Sequence, residues 1–143
     1  MKLGILSNSL LHGSYWYLVL EIMFTTKFEM NGLARAARLR ETACRESAIT
    51  IMSLVKQKGG RVRLADIARP HYGREEDFTA EHAMRTMATL DTWLEQGVMK
   101  VLVDGVNEME DILTEMMVKH REFHWESQAM KEKMCLPQYK YQK

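Results

Sequence analysis

With 143 residues the chain is long enough for one domain whose core needs neither disulfides nor a structural metal. Apolar residues make up 46% of it and charged residues 27%, and only 2 prolines and 8 glycines interrupt it, a composition typical of long helices. The formal net charge is +1, with acidic and basic residues interspersed, so no uniform field attracts nucleic acid or an anionic membrane. We therefore expect a single all-α domain over residues 1–143, without a nucleic-acid partner.

The cysteines and the apolar stretches indicate the compartment. Cys44 and Cys135 lie far apart in the sequence and lack the spacing of a zinc site or a secreted disulfide framework, which suits a reducing environment. The longest apolar stretch, residues 15–24, contains Glu21 and is shorter than the roughly 20 residues that span a bilayer. The sequence thus predicts a cytoplasmic protein with no membrane span.

Two helices are predicted in the first half of the chain. The first runs from about Ser9 to Phe28, and one apolar stripe recurs in it at helical spacing: Leu11, Tyr15, Leu18 and Ile22. The second runs from about Leu33 to Lys58, and its predicted buried face follows steps of three, four and seven: Leu33, Ala37, Cys44, Ala48, Ile51 and Val55. Gly59 and Gly60 end it, since glycine accepts the left-handed conformation found after helix C-termini.

A long connection separates these helices from two more. Residues 61–78 lack a helical period and contain Pro70 and Gly73, so they predict an exposed crossover that lets the third helix run parallel to the second. The third helix is expected from an N-cap at Thr79 to about Asp104, with one interior stripe: Met84, Met87, Asp91, Leu94, Val98 and Val101. A short turn then predicts an antiparallel fourth helix from about Glu108 to Met134.

Carboxylates on the predicted helices are candidate metal ligands. Asp91 has apolar neighbours at both helical spacings, so its side chain should face the interior, where it must be protonated, hydrogen-bonded or bound to a cation. Tyr17 and Glu21 lie one turn apart and form either a pair of oxygen ligands or an edge residue beside a solvated one. Spacing alone leaves both alternatives open at each place.

The fourth helix carries softer candidate ligands. His120 and His124 lie four residues apart, a spacing that can place two imidazoles on one metal, but the other ligands of a zinc motif are absent, so a solvated helix face is favoured. The sequence contains 12 methionines, many of them in this helix. Thioethers bind copper(I), but methionine mainly serves as adaptable core filler, and the core interpretation is favoured.

One motif carries a family resemblance. From Lys58 to Pro70 the sequence reads Lys-Gly-Gly-Arg-Val-Arg-Leu-Ala-Asp-Ile-Ala-Arg-Pro. This closely resembles the Gly-Gly-Arg-hydrophobic-x-Leu-x-Asp-Ile-x-x-Pro stretch that begins the long crossover of eukaryotic ferritins. Shorter matches occur in each helix: residues 14–18, 45–46, 83–84 and 113–115. The resemblance spans nearly the whole chain and implies a ferritin-like four-helix bundle, similar to a heavy-type subunit, with iron as its metal.

The resemblance also implies where an iron-oxidising centre would lie. Heavy-type ferritin subunits oxidise iron(II) with carboxylates from several helices, one Glu-x-x-His pair, a tyrosine and a glutamine. Carried over by position, Tyr17 matches the tyrosine, Asp91 replaces the glutamate of the third helix, and Glu46 is what remains of a cluster of glutamates that nucleates mineral. The other ligand positions carry residues that bind iron poorly: Leu10, Cys44, Ser47 and, on the fourth helix, Met116 or, in another register, Arg121.

The resemblance therefore implies an iron-storage subunit whose iron-oxidising centre is degenerate, so ferroxidase activity is not favoured. Such a subunit would depend on other ferritin subunits to form a shell. The resemblance ends just after the fourth helix, so the family's short fifth helix has no counterpart. Two alternatives stay open: a retuned metal site that uses Tyr17, Glu21, Cys44 and Asp91, and a metal-free bundle that serves as an interaction module or is the product of a decayed gene copy.

Overall fold

Four long helices make up the computed structural model of the chain, which describes residues 2–67, 70–105 and 109–134. They are α1 (Lys2–Thr26), α2 (Asn31–Gln57), α3 (Ala80–Val103) and α4 (Glu110–Met134), with one turn of 3-10 helix at Glu75–Asp77. The described part of the chain contains no strand, which confirms the all-α prediction. Four sequence-based predictions lie outside it: those for Cys135, for Ala68 and Arg69 of the crossover motif, for the start of the fourth helix at Glu108, and for the missing fifth helix.

The helix directions follow from side-chain contacts. Helix α1 packs antiparallel to α2, since Ser14 contacts Glu41 and the later Glu21 contacts the earlier Arg38. It is antiparallel to α3 as well, since Leu6 lies near Gly97, Gly13 near Leu94, and Tyr17 contacts Asp91. Helices α3 and α4 are antiparallel for the same reason: Asp91 contacts Ser127 and Glu95 contacts Arg121. Helices α2 and α3 therefore run parallel, as the long connection predicted.

The start of the crossover contacts the first helix through Asn8. After α2, Gly59 adopts a positive φ of 81°, the left-handed conformation expected there. The chain then passes α1, where the Asn8 side-chain amide donates to the Arg63 carbonyl at 3.3 Å and its oxygen accepts from the Ala65 amide at 3.2 Å. At the far end, the Thr79 hydroxyl accepts from the His82 amide at 3.1 Å, which confirms the predicted N-cap of α3.

The predicted inner face of α1 is wrong. The helix begins at Lys2, earlier than the expected Ser9, and it is apolar on both sides. Its predicted stripe points outward, with Tyr15 39%, Leu18 44% and Ile22 52% exposed. The core side is formed by other residues: Leu6, Leu10, Tyr17, Leu20 and Phe24. Because apolar residues surround the helix, spacing alone could not select the buried face.

The interior faces of α2 and α3 agree with the sequence. Every residue of the predicted α3 stripe is buried, including Asp91, and so is the α2 stripe except for the half-buried Val55. The core runs the length of the bundle between these faces and the buried side of α1 and α4. Among the described helices, none is both long and apolar enough to cross a bilayer.

Candidate functional site at the centre of the bundle

A buried carboxylate lies at the middle of the four helices. Asp91 on α3 is fully buried, and both of its oxygens accept hydrogen bonds. The Tyr17 hydroxyl on α1 donates to Oδ1, and the Ser127 hydroxyl on α4 donates to Oδ2. The Nε of Arg40 on α2 donates to both oxygens at 3.1 Å. All four helices therefore supply one side chain to this centre, which we call the Arg40–Asp91 centre.

Arg40 was not among the predicted site residues. Its side chain is fully buried and forms a salt bridge with Asp91. The Nη1 group donates to the Ala36 carbonyl at 2.9 Å and to Oε1 of Glu126 at 3.1 Å, and Nη2 donates to the Phe123 carbonyl at 3.2 Å. A guanidinium has five N–H donors and no acceptor, so this arrangement suits it. Arg40 thereby places a permanent positive charge in the interior of the bundle.

The guanidinium also lies against an aromatic ring. The central carbon of the Arg40 guanidinium is 4.7 Å from the centre of the Phe123 ring, within the range of a cation–π contact. Glu126, at the outer end of Arg40, has a side chain that is 51% exposed. Arg40 thus extends from the buried Asp91 to the rim of α4, and its charge is balanced by one interior and one rim carboxylate.

Burial controls the protonation of this centre. It raises the pKa of the Asp91 carboxyl above its ordinary value, and the Arg40 charge and the hydrogen bonds from Ser127 and Tyr17 oppose that rise. Burial also raises the pKa of Tyr17 well above its ordinary value, and the negative charge of Asp91 raises it further. Tyr17 therefore stays a protonated donor to Asp91 at neutral pH.

Two of the three expected iron ligands meet at this centre. Tyr17 and Asp91 are in direct contact, whereas Glu46 lies on the exposed side of α2. Glu21, the other carboxylate considered with Tyr17, forms a salt bridge with Arg38 instead. Its Oε2 lies 2.9 Å from Nε of Arg38. The centre therefore keeps a single buried carboxylate.

The positions at which the resemblance implied replaced ligands lie in or beside the core. Leu10 and Cys44 are fully buried, Met116 is buried, and Ser47 is half-buried. Burial raises the pKa of the Cys44 thiol far above its ordinary value, so it remains protonated, and the thiolate is the form that binds metals.

The fourth helix presents Ser127 to Asp91, rather than either of the residues expected from the sequence. Met116 belongs to the core and Nε of Arg121 pairs with Oε1 of Glu95 at 3.3 Å. The sequence did hold a signal for Arg40, since it follows Ala37 by three residues and precedes Cys44 by four on the same face of α2. No comparable signal identified Ser127.

The histidines of α4 differ from their predicted solvated positions. His120 is only 1% exposed, and its Nδ1 has no hydrogen-bond partner. Burial lowers its pKa to about 4, and the charges of Lys119 and Arg40 act in the same direction. His124 is half-buried, with Nδ1 3.0 Å from the Thr92 hydroxyl and 3.5 Å from Oε2 of Glu95. The solvated-face prediction is therefore wrong for His120.

The residues at the centre do not fit a pair of iron ions. Iron sites of this type need several hard carboxylates, and here the one buried carboxylate is engaged by a guanidinium and two hydroxyls. Within residues 2–67, 70–105 and 109–134, no three His, Cys, Asp or Glu side chains are grouped closely enough to hold a metal. A fixed protein cation takes the place that a bound cation would need.

The sequence matches no protein-family profile and no curated protein. Solved structures do match. An open-pore ferritin from the hyperthermophilic archaeon Archaeoglobus fulgidus aligns with a TM-score of 0.77 and 16% identity over 93% of this chain and 82% of that one.

Two related solved structures align equally well. An engineered closed form of the Archaeoglobus fulgidus ferritin gives a TM-score of 0.76 and 16% identity over 93% of this chain and 81% of that one. A humanized archaeal ferritin gives a TM-score of 0.78 and 18% identity over 93% of this chain and 82% of that one. At this identity the likeness concerns the fold, and it agrees with the helix order and with the long crossover. The chain therefore has the ferritin fold.

Proposed function

We propose that the chain is a ferritin-type subunit that takes part in iron storage without oxidising iron itself. The observation that carries the proposal is the buried salt bridge between Arg40 and Asp91. Iron would enter this centre as a divalent cation, and it would meet a guanidinium that is charged at every physiological pH. Two cations in one dry interior repel each other strongly, so the centre favours the ion pair over iron.

The role of such a subunit is structural. Tyr17 and Asp91 are the remnant of an iron site, and Glu46 on the exposed face of α2 is a weak outer contact for iron as a stored cargo. Since the bundle centre lacks the several carboxylates that iron oxidation needs, oxidation would come from active ferritin subunits in a mixed shell. We place the protein in the cytoplasm, where such shells meet iron(II).

Particle mass and iron loading test this proposal. The purified chain, alone and refolded with a heavy-type ferritin subunit, is analysed by size-exclusion chromatography with light scattering. Each sample then receives iron(II) in air, and oxidation is followed by absorbance. We expect a mixed shell, and an oxidation rate that scales with the share of the active subunit. A chain that never enters a shell, or that oxidises iron rapidly alone, would overturn the proposal.

A second candidate is a metal-free bundle that acts as an interaction module. The Arg40–Asp91 centre favours it too, because an internal ion pair makes the fold independent of metal. Large apolar side chains also remain exposed, among them Trp125 at 64% and Val103 at 78%. A monomer with a cooperative melt that iron does not shift would support this candidate. The absence of a cooperative transition would point to the product of a decayed gene copy.

A further inference from the structure

One buried polar atom has no role in the Arg40–Asp91 centre. His120 is 1% exposed, yet its Nδ1 has no hydrogen-bond partner. A buried polar group without a partner is unfavourable, so native proteins rarely retain one without a reason. The His120 ring meets the Phe123 ring edge-on, with 6.0 Å between centres, on the side of the following helical turn.

The preceding turn of the same helix carries two buried methionines at the spacing of side-chain neighbours. Met116 and Met117 are both buried at 7% exposure, four and three residues before His120. At about 100° per residue, His120 lies roughly 40° from Met116 and 60° from Met117 around the helix axis, and so between them. Long side chains on a helix lean toward its N-terminus and over the i−3 and i−4 positions. From this spacing we infer that the imidazole leans over the two methionines.

We propose that His120, Met116 and Met117 form a binding site for copper(I). Two thioethers and one imidazole are the soft and borderline donors that select this ion. Methionine has three rotatable bonds, so its sulfur can turn toward a metal without movement of the helix. The metal would take the lone pair of Nδ1 and thereby satisfy the buried atom that lacks a partner.

The local charge selects a monovalent ion. All three ligands are neutral, because burial keeps His120 unprotonated at neutral pH. The charges of Lys119 and Arg40 both act on His120, and both are positive. A divalent ion would be repelled about twice as strongly as a monovalent one in these surroundings. The site is thus unsuited to iron(II) and zinc, and it is separate from the iron-storage role proposed above.

The test is an anaerobic titration of the full chain with copper(I) in the presence of a chromophoric chelator. Cysteine thiols bind copper(I) themselves, so all variants carry Cys44→Ala and Cys135→Ala. We expect one copper(I) per chain, with sulfur and nitrogen ligands visible by X-ray absorption. His120→Leu should weaken binding at least about tenfold, and so should the pair Met116→Leu and Met117→Leu.

Controls distinguish ligand loss from unfolding. Met99→Leu, at a 39% exposed methionine of α3, should bind copper(I) like the parent. Each variant is also melted without metal, and His120→Leu should be at least as stable as the parent because it removes the unpaired nitrogen. Equal binding of copper(I) by all variants would overturn the proposal. So would binding by the wild-type chain but not by the cysteine-free parent. So would equal affinity of the parent for zinc.

Discussion

Arg40 connects three helices through one buried side chain. It belongs to α2, pairs with Asp91 of α3 and contacts Phe123, Glu126 and Ser127 of α4. A buried ion pair is rarely more stabilising than apolar residues of equal volume, but breaking it leaves an uncompensated charge. The centre therefore contributes mainly to the specific arrangement of the helices, and each partner depends on the other.

A double-mutant cycle measures this dependence. Arg40→Met leaves the Asp91 carboxyl buried without its cation and should lower the free energy of unfolding by about 3–5 kcal/mol. Arg40→Met combined with Asp91→Asn leaves no buried charge and keeps an acceptor oxygen for one of the two hydroxyls, while the amide N–H2 can donate to the other, so it should cost less than the sum of the two single changes. Urea unfolding measures the free energy of unfolding of the two single variants and of the double variant. Arg38→Met is the control, because this 73% exposed arginine should contribute less than about 1 kcal/mol. Additive costs would contradict the coupling.

His120 predicts a loss of stability in acid for the metal-free chain. An unfolded histidine binds a proton below about pH 6.5, whereas burial lowers the pKa of His120 to about 4. Between these values the unfolded state binds more protons, so stability falls as the pH falls through this window. Over the whole window, the free energy of unfolding should fall by about 3 kcal/mol.

Urea unfolding between pH 7.5 and 4.5 checks this, with His120→Leu as the informative variant. We expect its stability to fall less steeply with pH than that of the parent. Met99→Leu, at a 39% exposed methionine of α3, is the control for a leucine substitution and should leave the slope unchanged. An identical slope in the parent and His120→Leu would show that the buried imidazole does not titrate as expected.

At the level of elements, the crossover depends on α1 for its position. At the start of the crossover Asn8 supplies two hydrogen bonds, one to each side of Leu64. Leu64 itself is 71% exposed, so apolar burial contributes little at that point. Residues 63–65 are therefore held by polar contacts with the backbone, whereas the later part of the crossover packs through Tyr72 against Trp16 and Phe78.

Asn8→Ala should loosen the crossover without unfolding the bundle. Loss of both hydrogen bonds should cost about 1 kcal/mol and should speed amide exchange at Ala65, whose N–H loses its acceptor. Hydrogen exchange measured by mass spectrometry or NMR provides the readout. Asn31→Ala, at an exposed asparagine at the start of α2, should not change exchange at Ala65. Unchanged exchange in Asn8→Ala would mean that other contacts hold this segment.

At the scale of the whole molecule, the outer face of α1 bears on assembly. Tyr15, Leu18 and Ile22 follow one another at helical spacing and are 39%, 44% and 52% exposed. Scattered exposed apolar residues are normal, but a continuous stripe is typical of a surface that another molecule covers. If the chain enters a shell, as proposed, this stripe is a natural place for a subunit contact.

Leu18→Glu should therefore reduce assembly and leave the isolated bundle folded. Burying a carboxylate at a contact is unfavourable, whereas the same group in water costs little. Light scattering should show smaller particles, and circular dichroism should show unchanged helix content. Val118→Glu, at a 54% exposed site on α4, tests whether any added charge has this effect. Equal loss of assembly in both variants would remove the stripe from the contact.

The sequence predicted the helix order, the crossover and the inner faces of α2 and α3, because these features depend on local periods and on glycine and threonine at helix ends. It also predicted that Asp91 is buried, since apolar neighbours flank it at both helical spacings. The inner face of α1 was not predictable in this way, because a helix that is apolar on both sides can bury either one.

The occupant of the bundle centre was decided only by the tertiary structure. Arg40 lies on the buried face of α2, but an arginine at such a position can equally extend its charge to solvent along the helix. Its burial depends on Asp91, Ser127 and Phe123, which come from distant parts of the chain and meet only in the folded bundle. The long-range pairing of charge therefore determined which side chains fill the centre, and no local pattern contains that information.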